Sequence, residues 1–312
     1  MYKEVLDQLL KYDKISIFRH QRPDGDCMFS ALALESFIKD NFPDKTVKIA
    51  GEDIYDLVSR NDKLSDRYIK ESLAFIVDTS NETRIDDQRA MKARFKIKMD
   101  HHPLLENYGD INIIEPKTSA CCELIAKILF SKDFKGYEIS RKTCEYLYCG
   151  IISDTINFRT TNVTTDTFSI ASKLVKVGDL QISELVEFVM DKSLDSFQKA
   201  AKIVSKLKLR GSFGYIFLKL SDLEKIGVSQ IEAKNNIDEI GKIKELNIWS
   251  VAIETKDKLI DCSVRSKKGF IVNQLCARYG GGGHANAAAV KNLSKKDFKR
   301  FYEELDNMAN QN

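Results

Sequence analysis

The histidines and several aspartates of this 312-residue sequence are concentrated in a few short segments. Three of the four histidines follow runs of apolar residues and the fourth closes a run of glycines; they are His20, His101, His102 and His284. Aspartates occur in the segment HQRPDGD, at the end of LAFIVD, in the triplet DHH and after the helix-like segment YLYCGIIS; they are Asp24, Asp26, Asp78, Asp100 and Asp154. Clustered carboxylates repel one another unless a cation neutralises them. Together these side chains predict a metal site.

Each segment also has an ordinary structural interpretation. RPDGD is typical of a tight turn, in which proline fixes φ and glycine adopts positive φ. Asp78 and Asp154 could cap the helices that follow them, and His101 and His102 could form a polar turn before Pro103. The metal interpretation is favoured because four independent local explanations would otherwise have to hold at the same time.

The number of candidate ligands indicates two ions. Five aspartates with two or three imidazoles are too many for one ion, whereas two divalent ions roughly 3.5 to 4 Å apart share one carboxylate and bind the oxygens of a phosphoryl substrate. Oxygen-rich ligation with some imidazole favours Mn²⁺, with Mg²⁺, Co²⁺ or Fe²⁺ as substitutes. We therefore expect manganese-dependent chemistry at phosphorus.

The elements around these segments predict an α/β fold. ISIFRH, LAFIVDTS and ARFKIKMDHH are expected to be buried strands, each followed by a polar loop, with helices between them. This repetition favours a mostly parallel sheet flanked by helices. Ligands of such sheets bind at the carboxyl ends of the strands, which is where these histidines and aspartates occur.

Chain length and a charged, helix-like stretch predict two domains. We place a catalytic domain at 1–190, a linker helix at 191–210 and a smaller α/β domain at 211–312. In the second domain FGYIFLKL, IWSVAIET and LIDCSVRS are expected to be strands, with helices near 229–244, 269–277 and 294–308.

The glycine run YGGGGHANAAA in the second domain suits close contact with an anion. Glycines let the main chain approach a ligand and present its N–H groups. Arg265 could form a forked pair of hydrogen bonds with phosphate, and His284 could contact phosphate or a base. The alternative interpretation of the glycines is a flexible hairpin tip.

The motifs occur in the order found in the DHH/DHHA1 phosphoesterases, which this chain resembles over essentially its whole length. The resemblance rests on HQRPDGD, the strand-terminal Asp78, DHH, GIISDTINFRT and GGGGHANAAA, and it is closest to the nanoRNase and pAp-phosphatase branch. It implies that one Mn²⁺ is held by His20, Asp24 and Asp78, and the other by Asp26, Asp78, His101 and Asp154. It further implies that the nucleophile is a hydroxide shared by the ions, that His102 faces the scissile phosphate and that Asp100 orients an imidazole.

The resemblance also implies a nucleotide clamp and further phosphate contacts. The expected substrate-binding residues are Arg265, Ser266, Asn273, Gly281, Gly282, Gly283 and His284, together with Arg84 and Arg159. Phe29 and Ala289 stand where the family usually has glycine, and Gln21 and Arg22 replace the asparagine that often precedes the proline. These departures concern helix packing and substrate choice, because the proposed ligands are intact.

The expected function is Mn²⁺-dependent hydrolysis of very short RNA (nanoRNA) to mononucleotides, with removal of the 3′-phosphate from pAp. A phosphodiesterase of cyclic di-AMP or pApA would use the same fold and metals. A catalytically inactive nucleotide-binding regulator is an alternative from another class, which predicts lost ligands, yet all six are present. Family II pyrophosphatases lack the GGGGH domain, and RecJ-like exonucleases carry added domains for long DNA.

Composition limits the partners and the location. Lysine and arginine number 49 against 46 aspartates and glutamates, so the chain lacks the overall positive charge of a binder of long nucleic acid. No apolar run approaches the roughly 18 residues of a membrane-spanning helix, and seven scattered cysteines fit a reducing compartment. We expect a cytoplasmic enzyme that acts on short RNA or small nucleotides, without membrane or long DNA; a homodimer is left open.

Four cations alternate with apolar residues before the DHH triplet; they are Lys92, Arg94, Lys96 and Lys98. Alternation places them on one face of a strand. A track for an RNA backbone is one interpretation, and a solvated edge strand, whose charges prevent aggregation, is the favoured one.

Overall fold

A computed structural model describes residues 2–51, 60–267 and 269–311. The chain divides into two compact units, residues 1–191 and 192–312. In the first unit the described elements are α1 (Tyr2–Lys11), β1 (Lys14–Phe18), α2 (Gly25–Asn41), β2 (Thr46–Ile49), α3 (Asp66–Glu71), β3 (Leu73–Val77), β4 (Phe95–Asp100), β5 (Ile111–Ile114), α4 (Cys121–Leu129), α5 (Arg141–Asp154), α6 (Thr165–Gly178) and α7 (Ile182–Met190). Short 3₁₀ turns lie at Glu82–Arg84, Gln88–Lys92 and Lys132–Phe134.

The second unit contains a further set of helices and strands. Its described elements are α8 (Leu194–Val204), β6 (Lys208–Arg210), β7 (Phe213–Leu218), α9 (Leu220–Ile226), α10 (Gln230–Asn235), α11 (Ile237–Ile240), β8 (Ile248–Glu254), β9 (Ile260–Ser266), α12 (Asn273–Arg278), β10 (Gly282–His284), β11 (Ala287–Leu293) and α13 (Lys295–Asn310). The stretch at 191–210 is therefore a helix followed by the short strand β6. Among the described residues, no helix combines the length and apolar character needed to cross a membrane.

The first unit is built on a parallel sheet with the strand order β2-β1-β3-β4-β5. The five residues of β3 are all buried and apolar, because both faces of the sheet are covered. Leu73, Phe75 and Val77 belong to one core, and Ala74 and Ile76 to another. The strand order changes direction between β1 and β3, so a ligand site is expected beyond the carboxyl ends of these two strands. The predicted α/β class is confirmed.

Helix α5 approaches the sheet through a glycine. A side chain at Gly150 would place a Cβ atom 2.1 Å from Sγ of Cys122 and 3.0 Å from Oδ1 of Asp26. Glycine therefore allows α5 to pack close to α4 and to the first turn of α2. One helical turn further on, Asp154 ends α5.

The second unit has a mixed sheet with the order β10-β11-β9-β8-β7-β6. Strands β7 and β8 are parallel, and the remaining neighbours are antiparallel. Strands β10 and β11 form a hairpin from the segment GGHANAAA, in which His284 pairs with Ala287. The glycine run is thus part of an ordered hairpin.

The favoured interpretation of the basic strand is wrong. Strand β4 begins only at Phe95 and lies between β3 and β5, so it is an interior strand. Lys92 belongs to the preceding 3₁₀ turn, and Lys98 is fully buried. Alternation alone could not reveal that a neighbouring strand and loops would cover one of the cations.

Candidate functional site

The carboxyl ends of β1, β3 and β4 bring predicted ligands around one carboxylate, that of Asp78. Its Oδ2 lies 3.4 Å from Nε2 of His20, and its Oδ1 lies 3.4 Å from Nε2 of His101. Nε2 of His101 is in turn 3.9 Å from Oδ2 of Asp26 and 3.8 Å from Oδ2 of Asp154. Asp78 therefore lies between two groups of candidate ligands.

The backbone holds Asp78 in a conformation that few residue types tolerate. Its φ is +52°, in the left-handed region, where aspartate and asparagine are enriched among non-glycine residues. Its N–H donates to the carbonyl of Met99 at 2.8 Å, which fixes the turn after β3 against β4. The interpretation of Asp78 as a helix cap is therefore wrong, since the 3₁₀ turn that follows is capped by Asn81.

Other left-handed residues lie beside the remaining ligands. Arg22 (φ 56°) is in the loop between His20 and Asp24. Three consecutive residues, Ile156, Asn157 and Phe158, have φ of 48°, 55° and 62° and begin two residues after Asp154, which ends α5. Such conformations are costly and concentrate at functional sites. Asp154 ends its helix, so the interpretation of Asp154 as an N-cap is also wrong.

Asp26 is fixed by the amino end of a helix. Its Oδ2 accepts from the amide of Cys121 at 2.6 Å, and its Oδ1 accepts from the amide of Cys122 at 2.9 Å. These are the first two residues of α4, whose amides have no partner within the helix. Asp26 is 1% exposed, and this pair of bonds sets the direction of its carboxylate.

The pKa values of these groups reveal a strong demand for positive charge. Burial and the nearby Asp78 and Asp154 carboxylates raise the pKa of Asp26 well above its usual range. Burial also raises the pKa of Asp154 to about 6. Although burial opposes the charged imidazolium, the Asp78, Asp26 and Asp154 carboxylates raise the pKa of His101 to about 10. Divalent cations would offset the repulsion among these carboxylates.

The residues present fit two cations. Oδ1 of Asp78 is buried and accepts no hydrogen bond from any described residue. Three sets of side chains have candidate donor atoms within 4.8 Å of one another: His20 with Cys27 and Asp78, Asp78 with His101 and His102, and Asp26 with His101 and Asp154. Asp78 belongs to two of these sets, and a carboxylate has two oxygens with which it could serve two ions.

Cys27 is a candidate ligand that the sequence interpretation missed. It follows Asp26 in the first turn of α2, and its thiol is fully buried near His20 and Asp78. Asp24, expected to bind the same ion, lies 3.7 Å from Nε2 of His20 but also caps α2 by accepting from the amide of Cys27 at 3.1 Å. The sequence signal for this ligand was the position of Cys27 directly after the DGD segment. The sequence analysis treated Cys27 only as one of several buried thiols.

Asp100 and His102 form a hydrogen-bonded pair. Oδ1 of Asp100 accepts from Nδ1 of His102 at 2.8 Å and from its amide at 3.2 Å. Asp100 is fully buried, whereas the His102 side chain is 28% exposed. With Nδ1 engaged by Asp100, Nε2 is the ring nitrogen left for a ligand.

The predicted clamp residues of the second unit gather around the β10–β11 hairpin. Arg265 on β9 is in register with Ala287, which pairs with His284 across the hairpin. The Asn273 amide donates to the carbonyl of Gly283 at 3.3 Å. Ser266 accepts from Asn286, in the turn of the hairpin, at 2.9 Å. Gly281 and Gly282 precede Gly283 at the same edge.

Arg84 and Arg159 belong to segments next to candidate metal ligands. The carbonyl of Arg84 accepts from the amide of Gln21 at 2.8 Å, which joins its 3₁₀ turn to the loop after His20. Arg159 follows the left-handed residues after Asp154. Both residues are exposed, and neither guanidinium forms an ion pair with another described residue.

Comparison with known proteins identifies the family. Residues 14–151 match the DHH family, N-terminal domain, and residues 211–311 match the DHHA1 domain. The probable bifunctional oligoribonuclease and PAP phosphatase NrnA of Streptococcus mutans is 33% identical over 98% of both chains. This chain belongs to the DHH/DHHA1 family. The bifunctional oligoribonuclease and PAP phosphatase NrnA of Bacillus subtilis is 28% identical to this DHH/DHHA1 protein over 99% of both chains.

A solved structure supports the fold of this family member. An exopolyphosphatase-related protein from Bacteroides fragilis superposes with a TM-score of 0.85 at 22% identity, covering 98% of this chain and 95% of that chain. The family models and the relatives confirm the predicted resemblance to the DHH/DHHA1 family. The DHH/DHHA1 protein is a phosphoesterase, a hydrolase acting on phosphate ester bonds, and the phosphoesterases of the DHH family depend on metal.

Proposed function

We propose that this protein hydrolyses very short oligoribonucleotides to mononucleotides and removes the 3′-phosphate from pAp, using two Mn²⁺ ions. The observation that carries the proposal is the buried Asp78 carboxylate, placed between His20 and His101 with one oxygen that accepts no hydrogen bond from a described residue. The relatives from Streptococcus mutans and Bacillus subtilis are named as oligoribonucleases and PAP phosphatases, which supports the substrate class.

The proposed ligands form two sets that share Asp78. His20, Asp24 and Asp78 would hold one ion, with Cys27 as a further candidate donor, and Asp26, Asp78, His101 and Asp154 would hold the other. Mg²⁺ or Co²⁺ could replace Mn²⁺ at oxygen-rich ligands. When bound, such a pair lowers the pKa of water and neutralises charge on a phosphate.

The chain's own groups orient the substrate. Asp26 keeps one direction because two helix amides hold its oxygens. His102 keeps its ring orientation because Asp100 accepts from Nδ1, and Nε2 then contacts the scissile phosphate. Arg84 and Arg159, both exposed, add positive charge for further phosphates.

The second part of the chain holds the nucleotide. We assign catalysis to residues 1–190, a linker to 191–210 and substrate binding to 211–312. Arg265 binds phosphate through its guanidinium, His284 contacts phosphate or base, and Gly281, Gly282 and Gly283 present main-chain N–H groups to the same anion. Ser266 and Asn273 support the hairpin that carries these groups.

A substrate panel tests the proposal. Purified protein with Mn²⁺ is given pApA, an RNA five-mer, pAp and cyclic di-AMP, and the mononucleotides and phosphate released are measured. We expect turnover of pApA, the five-mer and pAp to exceed that of cyclic di-AMP at least tenfold. Faster turnover of cyclic di-AMP would replace the proposal with the cyclic dinucleotide alternative, and binding without hydrolysis would identify an inactive regulator.

A further inference from the structure

Lys98 is a buried cation that the proposed reaction does not yet use. It lies on the interior strand β4 and is fully buried. A buried ammonium is costly unless its donors are satisfied and an opposite charge is near. Its presence two residues before Asp100 therefore calls for a specific set of partners.

The three N–H groups of Lys98 have three oxygens within reach. Nζ donates to the carbonyls of Ser80 at 2.8 Å and Glu106 at 3.0 Å, and it lies 3.3 Å from Oδ2 of Asp100. The ring of Tyr108 faces the ammonium at 4.7 Å, which adds a cation–π contact. The site is built for a charged lysine.

These partners connect Lys98 with the phosphate-facing side of the site. Ser80 lies two residues after Asp78, and Glu106 lies four residues after His102, so the ammonium joins the two loops that carry these groups. Oδ2 of Asp100 lies 3.3 Å from Nζ of Lys98, an ion-pair distance without a hydrogen bond, and Oδ1 of Asp100 accepts from Nδ1 of His102 at 2.8 Å. One carboxylate thus connects the buried cation with the partly exposed imidazole.

We propose that Lys98 is a positioning residue for hydrolysis, whose ammonium holds the Asp100 carboxylate so that His102 keeps its proton on Nδ1 and presents Nε2 to the phosphate. The inference rests on the proposed function for its kinetic consequence, but the state of His102 can be measured without any activity. Of the four cations that alternate with apolar residues before the DHH triplet, Lys98 is then the one with a role in hydrolysis. A chain of contacts then runs from Lys98 through Asp100 to His102, whose imidazole faces the phosphate.

Lys96 offers a matched control for Lys98. It lies on the same strand and, two residues away, on the same face, but its ammonium pairs with Asp110 at 2.9 Å. Lys98→Met and Lys96→Met remove the same charge and keep the aliphatic stem. Lys98→Gln, which retains a donor without charge, replaces Lys98→Met if the latter does not fold.

Kinetics on pApA with Mn²⁺ give the first test. We expect Lys98→Met to lower kcat at least tenfold with KM and bound manganese unchanged, while Lys96→Met stays within twofold of wild type. In a His102→Ala background, Lys98→Met should cost less than a further twofold, because both changes remove one coupled unit. Wild-type kcat in Lys98→Met, or an equal loss in the His102→Ala background, would overturn the inference.

Imidazole ¹⁵N NMR of the metal-free protein gives a test that needs no turnover. His102 should hold its proton on Nδ1 in wild type and in Lys96→Met, and should populate both tautomers in Lys98→Met or Lys98→Gln. An unchanged tautomer in the Lys98 variants would refute the positioning role. If wild type hydrolysed nothing, the proposed function would fail while this measurement still decided the role of Lys98.

Discussion

The candidate metal ligands and the candidate clamp residues differ in how far the fold has already organised them. Among the candidate ligands, Asp26 and Asp78 are 1% and 2% exposed and their oxygens contact helix amides or imidazoles, whereas Asp24 is exposed. Gly282, Gly283 and His284 lie exposed at the edge of a sheet. A buried, mutually bonded group is fixed before substrate arrives, whereas an exposed hairpin gains its contacts on binding. Changes in the first group should impair chemistry, and changes in the second should impair binding.

The largest effect that this comparison predicts is at Asp78. Asp78→Asn is preferred to Asp78→Ala because φ is +52°, and asparagine tolerates the left-handed region better than alanine does. Loss of a metal's outer-shell partner typically costs about 10 to 100-fold, so loss of a shared ligand should lower kcat for pApA more than about 100-fold. Retention of a tenth of wild-type activity would contradict the shared position of Asp78.

Two controls separate a lost ligand from a damaged fold. Asp44→Asn changes an exposed carboxylate outside the site and should leave kcat unchanged. A ligand whose free concentration is about 100 times its dissociation constant stabilises a protein by about 2.7 kcal/mol. Mn²⁺ should therefore raise the Tm of wild type and of Asp44→Asn. The same Mn²⁺ should raise the Tm of Asp78→Asn much less. An equal rise in all three proteins would place manganese elsewhere.

The parts that the sequence predicted well were the ends of apolar strands. The continuous apolar run LAFIV identified β3, and a parallel sheet brings the groups after β1, β3 and β4 to one edge. Order and spacing of the motifs were therefore sufficient to gather His20, Asp78 and His101. The short strands β2 and β5 were missed, since four residues carry little periodic signal.

What the sequence could not predict depends on neighbours far along the chain. The burial of Lys98 follows from carbonyls of Ser80 and Glu106 on two loops, and the direction of Asp26 follows from amides of α4. Cys27 was overlooked because only the turn of α2 places its thiol near His20. No local pattern of residue types encodes these contacts.

A smaller effect is expected at His284, on the exposed side of the comparison. His284→Ala should raise KM for pApA about tenfold, because a hydrogen bond to a charged group contributes about 1.5 to 3 kcal/mol. Turnover of bis-p-nitrophenyl phosphate should stay within twofold, since this ester offers no nucleotide for a clamp. Lys291→Ala, an exposed change on β11, serves as the control. Equal losses on both substrates would show that His284 acts in chemistry instead.

The smallest predicted effects are those of alanine substitutions in the glycine run, and they test why the β10–β11 hairpin is rich in glycine. At Gly283, φ is +136° and an added Cβ would lie 2.4 Å from the carbonyl oxygen of Ala287, so Gly283→Ala should lower Tm through strain in the hairpin itself. At Gly282 φ is not positive, and an added Cβ meets no atom within 4 Å among the described residues. The fold alone does not require glycine there.

Gly282→Ala therefore separates the two interpretations of the glycine run. If the main chain approaches a nucleotide phosphate, the new methyl group should raise KM for pApA several-fold while Tm stays at or slightly above that of wild type, as measured by kinetics and thermal unfolding. If the glycines serve only the hairpin turn, KM should not change. Because Gly282→Ala adds one methyl group to an open surface, a rise in KM without a fall in Tm would support a ligand that occupies that space.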